Sequence, residues 1–192
     1  MKFFKYTLTF VLSIFIFTCD KNVNTENLGE LEFEINLIEL DSIRIKNDLL
    51  KLASFGNTEL DGNERIAYSD YNVDALAWLK TELEALNLNV SIDFAGNLIA
   101  VRDGINNNLK PIGFGSHIDC VPNGGHYDGQ IGVLAGLEIF RVLNDNNIKT
   151  NHPLELIVFS NEEGGVFGSR ALAGVITDET MDVMTASGLT NF

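Results

Sequence analysis

Two cysteines, three prolines, three histidines and one tryptophan are all that the 192 residues contain of those types. Cys19 and Cys120 stand far apart and outside any CxxC or Cys/His framework, which excludes a zinc finger and a disulfide-stapled scaffold. Positive charge is also scarce: 13 Lys and Arg stand against 27 Asp and Glu, for a net charge of −14. Phosphate backbones are bound by basic faces, so no nucleic-acid partner is expected. Internal repeats and low-complexity segments are absent. What remains is a chain with 45% hydrophobic and 21% charged residues, the balance of a folded domain with a real core.

The first residues, MKFFKYTLTFVLSIFIFTCDKN, form a segment of their own. Lys2 and Lys5 give a small positive start, and Leu8 to Phe17 is nearly all apolar. That run is short for a bilayer span and suits the core of an export signal. A cysteine directly after it resembles a bacterial lipoprotein signal, in which Cys19 becomes the lipidated first residue, although Thr18 departs from the small residue usual before it. The expectation is an exported protein, periplasmic or anchored to a membrane through Cys19, with residues 1–19 as signal, 20–30 as polar tether and 31–192 as the folded part. A single uncleaved N-terminal anchor is the alternative.

Beyond the tether, the apolar spacing predicts a helix over Leu37–Phe55, closed by Gly56, and a second over Asn72–Leu86 with Asn72 as its N-cap. VSIDFAGNLIAVRD reads as a hairpin turning at Ala95-Gly96-Asn97. Ile112–Ile118 reads as a strand and Ile131–Leu143 as an apolar helix whose Gly132, Ala135 and Gly136 permit close packing. Leu154–Phe159 reads as a buried strand and Phe167–Val175 as a short helix. Strands alternating with helices imply an α/β layer fold.

Chemistry concentrates where two of these strands end. Ligands of open α/β sheets gather beyond the carboxyl ends of strands. The first strand runs into GSHIDCVPNGGHYD, which supplies His117, Asp119 and Asp128; the second runs into SNEEGG, which supplies Glu162 and Glu163. Imidazole and carboxylates are the donor types of divalent-ion sites. His117 and Asp119 are two apart on extended chain and share a face, so Asp119 can hold the second ring nitrogen. Asp128, just before Gly129 at the mouth of a helix, is placed to bridge two ions. Glu162 and Glu163 point in different directions, so one can hold an ion while the other faces substrate and moves a proton. Each feature has a plainer reading alone: a structural histidine, an Asp-Gly turn, a solvated acid pair. Their convergence at strand ends is what favours a site. His126 reads as a surface or substrate-side residue, His152 as solvent-exposed beside Pro153, and Cys120 as a small packing residue.

GSHIDCVPNGGHYDGQIGVLAGLE followed by VFSNEEGGVFGSRALAG resembles the M20-type binuclear metallohydrolases, and within them the amidase branch of N-carbamoyl-L-amino-acid hydrolases, allantoate amidohydrolases and β-ureidopropionases. ELDGNERIAYSDYN and DFAGNLIAVRDG are similar to that branch as well. The short link CVPNGGHY between Asp119 and Asp128 favours it over the peptidase and deacylase branch, where this stretch is much longer.

The resemblance implies His117 as a ligand of one ion, Asp119 as the residue orienting it, Asp128 as the bridge, Glu162 as general base and Glu163 as a ligand of the second ion. It implies two divalent ions, zinc or manganese, and hydrolysis of a linear amide or ureido C–N bond in a small-molecule substrate. It also implies part of a zinc-peptidase-like catalytic domain, a mixed sheet with helices on both faces. The family's further histidine ligands, one in a HIEQG-like motif, and its lid and dimerisation domain do not occur in the 192 residues, so a truncated catalytic domain is expected and homodimerisation is implied only for the family. An M20-type metallopeptidase or N-acyl-amino-acid deacylase is the near alternative. A lipoprotein remnant without activity is the non-enzymatic one.

Overall fold

The computed structural model describes residues 39–59 and 62–177. The expected export signal with Cys19, the expected tether, and the stretch from residue 178 onward lie outside the described residues.

Among the described residues eight elements follow in order: α1 (Ser42–Ala53), α2 (Asp70–Ala85), β1 (Asn89–Ile92), β2 (Leu98–Arg102), β3 (Ile112–His117), α3 (Gln130–Asp145), β4 (Leu154–Phe159) and α4 (Phe167–Leu172). The α1 helix starts later than its apolar spacing suggests because Asp41 caps it, its Oδ1 accepting from the N–H groups of Ile43 and Arg44 at 2.9 and 3.0 Å. At α2 the expected cap, Asn72, is corrected to Ser69. The Ser69 hydroxyl accepts from Asn72 N–H, and Asn72 Oδ1 reaches back to accept from Tyr68 N–H, a reciprocal pair that consumes two orphan donors. Both residue types cap well, so sequence alone left the start three residues late.

The strands form one mixed sheet in the order β1-β2-β4-β3. The expected hairpin is β1–β2; β2 and β4 are antiparallel; β3 and β4 are parallel, with His117 opposite Phe159. The β3–α3–β4 crossover therefore brings the carboxyl ends of β3 and β4 side by side, where a switch-point site belongs. This register puts the HID loop and the NEE loop together although they are distant in sequence.

Leu98, Ala100, Leu154, Leu156 and Val158 line one face of the sheet and are fully or nearly fully buried. Against them pack Ala75, Leu79 and Leu83 of α2 and Val133, Leu134, Leu137 and Phe140 of α3. Each such Leu contributes about 1.5–3 kcal/mol by leaving water. Gly136 lets α3 approach closely, since a Cβ there would lie 2.7 Å from Leu156 Cδ1. The opposite face, carrying Ile99, Val101 and Ile157, is half-buried among the described residues; α2 and α3 cover the Leu98–Leu156 face. The α1 helix packs on α3 and is tied to it by charge. Arg44 pairs with the fully buried Glu138 at 2.7 Å and with Asp145 at 2.9 Å. Arg141 pairs with Asp48 and, at 2.8 Å, with Glu82 of α2. Buried charges persist only when paired in this way.

Candidate active site

His117 is the last residue of β3 and is 7% exposed. Its Nδ1 lies 3.0 Å from the main-chain carbonyl of Asp119. A carbonyl only accepts, so Nδ1 carries a proton, and Nε2 is the ring nitrogen that points outward. Nε2 faces Glu162, whose Oε2 is 3.5 Å away. The imidazole lies against Gly129 at the start of α3; a Cβ on Gly129 would sit 2.4 Å from Nε2, and Gly129 has a φ of +69°. Asp-Gly at 128–129 is therefore more than a turn: glycine is required by both the ring and the backbone.

Asp119 is 2% exposed. Its Oδ2 accepts from the main-chain N–H of Glu163 at 3.1 Å, which joins the two loops directly. Its Oδ1 stands 3.5 Å from His117 Nδ1, beyond firm hydrogen-bonding range, and has no hydrogen-bond partner among the described residues. The expected orienting role is thus carried mainly by the main chain of Asp119, with its carboxylate nearby. Burial alone would push the His117 imidazole down; Asp119 and the charge of Glu162 outweigh it and hold His117 up at about 9. Burial pushes the Glu163 carboxyl up; Asp128, Glu162 and Asp119 add to that push, and His117 opposes it.

Three carboxylates, those of Asp119, Glu162 and Glu163, thus act on one imidazole, and Asp128 acts on Glu163. Asp128 itself is exposed, at the rim. Among the described residues no three His, Cys, Asp or Glu side chains are gathered tightly enough to hold an ion as they stand. The donor set nonetheless fits a divalent cation in kind. It offers an imidazole whose Nε2 is aimed outward, an orphaned buried carboxylate oxygen, and a Glu163 whose charged form is disfavoured by burial and by its acidic neighbours.

The NEE loop is strained and pinned. Asn161, 1% exposed, and Val166 both adopt left-handed backbone, with φ of 47° and 52°. A β-branched residue there is an outlier costing about 1–3 kcal/mol. The pin is Asn97, a fully buried residue that sequence reading treated only as part of a turn. Its Nδ2 donates to Asp93 Oδ2 at 2.8 Å and to the Gly168 carbonyl at 3.0 Å, and its Oδ1 accepts from Ser160 N–H at 2.9 Å. A Cβ on Gly168 would lie 2.1 Å from Asn97 Oδ1, so the loop closes on the hairpin only with glycine there. Arg65, likewise fully buried, was not singled out either. The motif-bearing stretches ERIAYSD and DFAGNL were the available signal.

The remaining candidates separate from the cluster. Cys120 is buried, its Sγ 3.4 Å from the Asn63 carbonyl, and burial pushes its thiol up, as suits a packing residue. His152 Nδ1 donates to the Lys110 carbonyl at 2.9 Å, away from the site. His126 is half-buried on the loop before α3.

Residues 113–189 match the profile of Peptidase family M20/M25/M40. The chain is 34% identical over 151 residues to the N-carbamoyl-L-amino acid amidohydrolase of Geobacillus stearothermophilus, covering 76% of this chain and 37% of that one. It is 35% identical over 142 residues to the ureidoglycolate hydrolase of Arabidopsis thaliana, covering 71% and 30%. The structure superposes on a hydantoinase/carbamoylase family amidase from Burkholderia ambifaria with a TM-score of 0.76 and 37% identity, covering 81% of this chain and 40% of that one. The chain therefore spans well under half the length of these relatives.

Proposed function

Taking as premise that the chain belongs to the M20 family, in its amidase branch, we propose that it carries part of the catalytic machinery of a metal-dependent hydrolase of amide or ureido C–N bonds in small molecules. One observation carries this reading. His117 Nε2, pointing outward, stands 3.5 Å from Glu162 Oε2 where two parallel strands end, with Asp119 joining both loops.

In this reading His117, Asp128 and Glu163 would hold the divalent ions; zinc and manganese both suit these donors. When bound, such ions polarise the scissile carbonyl and make water a better nucleophile. The Asp119 main chain keeps a proton on His117 Nδ1, so Nε2 is the nitrogen that would meet an ion, giving up its own proton to do so. Glu162, whose side chain is 36% exposed, takes the proton from attacking water and returns it to the leaving nitrogen. The C–N bond breaks as that nitrogen is protonated. For an N-carbamoyl amino acid the products are the amino acid, ammonia and carbon dioxide. The relatives' names favour this over acyl or dipeptide substrates.

Export, with lipidation at Cys19 as membrane attachment, belongs to the same reading. Palmitate labelling of wild-type cells should mark Cys19 and leave Cys19→Ser blank. Among the described residues no helix is long and apolar enough to cross a membrane. The activity is tested by ammonia release from N-carbamoyl-L-amino acids and from allantoate. Turnover should collapse in Glu162→Gln; equal turnover in that variant would remove Glu162 from its role.

A further inference from the structure

Arg65 is fully buried, yet it lies in a segment that reads as a polar loop. Its Nε donates to the carbonyl of Ile118 at 2.6 Å. Its Nη1 donates to the carbonyls of Leu52 and Phe55, at 2.7 and 3.1 Å, and to Asn63 Oδ1 at 3.1 Å. These partners are all neutral. The Leu52 and Phe55 carbonyls belong to the last turn of α1 and the residues after it, so the guanidinium also closes that helix end. Main-chain bonds complete the grip: Cys120 N–H donates to the carbonyl of Arg65 at 3.1 Å. The residue before Asp119 and the residue after it are both tied to Arg65, one through its side chain and one through its backbone.

Asp119 sits between those two anchors, and its own carbonyl receives the proton of His117 Nδ1. A guanidinium brings donors in a fixed planar fork, so it sets direction as well as distance. Its charge also acts on the buried Asp119 carboxylate, whose Oδ1 lacks a hydrogen-bond partner among the described residues.

We propose that Arg65 is a positioning residue for the candidate centre: a buried two-point clamp that fixes the 118–120 turn and thereby the aim of His117 Nε2. The consequence for ion binding rests on His117 being a ligand; the clamp on the turn does not. Partners that orient metal ligands typically contribute about 10–100-fold in metal affinity. Lysine at this position keeps the charge but offers a single ammonium point, which cannot span the α1 end and the Ile118 carbonyl together.

The experiment uses the full chain and three proteins: wild type, Arg65→Lys and Arg141→Lys. Arg141→Lys weakens a buried ion pair in the helical layer without touching the turn, and so controls for general destabilisation. Two readouts are taken: amide hydrogen exchange resolved to residues 117–121, and Co2+ titration followed by visible absorption, which reports affinity and coordination together. Arg65→Lys should lose protection locally at 117–121 and bind Co2+ at least about tenfold more weakly, with an altered spectrum. Arg141→Lys should lower the unfolding temperature while leaving both readouts within twofold of wild type. Wild-type exchange at 117–121 in Arg65→Lys overturns the proposal, as does an equal loss in Arg141→Lys. Local loss of protection with unchanged Co2+ binding overturns the link to His117. If wild type binds no Co2+, the metal-centre reading fails and the exchange data still decide the clamp. Should Arg65→Lys lack a cooperative melt, Arg65→Met, which fills similar volume without a donor, is read by the same criteria.

Discussion

Gly129 and His117 occupy each other's space: the imidazole lies where a side chain on residue 129 would be, 2.4 Å from the position of its Cβ. The helix that follows Asp128 thus begins against the ring. Gly129→Ala must move one or the other, and its φ of +69° strains any L side chain. We expect a loss of about 1–3 kcal/mol in thermal unfolding and a displaced ring that no longer binds Co2+ with wild-type affinity. Unchanged stability and Co2+ binding would mean that the ring and α3 are not in contact.

The hairpin tip acts on the other loop. Asn97→Ala removes the partners of Ser160 N–H, the Gly168 carbonyl and Asp93 Oδ2 in a buried setting, at about 1–3 kcal/mol for each group left unsatisfied. Asn97→Asp should be worse near neutral pH, because a second carboxylate would face Asp93 Oδ2 at the former 2.8 Å hydrogen bond. Denaturant melts of the two variants check the order. If Asn97→Asp is the more stable of the two, the amide does not face Asp93 in this way.

The ion pairs of the helical layer allow a third test. Arg141→Met strands Asp48 and Glu82, and breaking a buried pair in this one-sided way costs about 3–5 kcal/mol. Replacing Arg141 and Asp48 together by apolar residues should recover much of that loss. A double variant no better than the single one would show that the pair is not desolvated.

Cys120 gives a prediction in pH. Burial raises its thiol pKa, so the folded state favours the neutral form. The stability this contributes is complete below the ordinary thiol range and is lost as pH climbs through the raised folded value. In Cys19→Ser, where Cys120 is the only thiol, iodoacetamide near pH 8 should leave the folded chain unmodified and should label it in denaturant. Rapid labelling of the folded chain would show Cys120 to be accessible.

How much of this was legible follows from what each residue has to do. β4 was bounded correctly at Leu154–Phe159 because a run of apolar residues between a proline and SNEE admits little else. The ends of α3 fell within two residues of its apolar stretch. His117, Asp119, Glu162 and Glu163 were legible as polar residues at strand ends, and the parallel β3–β4 pairing brings them together. Asp128 reached the rim of that cluster and not its interior. Arg65 was missed because an arginine in a polar stretch reads as solvated. Only tertiary structure shows four acceptors converging on it. Asn97 was read for its turn propensity, which is real, but its side chain is used for long-range contacts that local sequence does not encode.

The claim on which the rest depends is that these acids and His117 are gathered from two loops to hold divalent cations. The direct measurement is the amount of Zn2+ or Mn2+ retained after equilibrium dialysis by wild-type chain, by His117→Asn and by the Asp128→Asn, Glu163→Gln pair. The account predicts metal on the wild type, lost from His117→Asn and from the paired variant while all three remain folded. Equal retention by all three, or none by folded wild type, would contradict it.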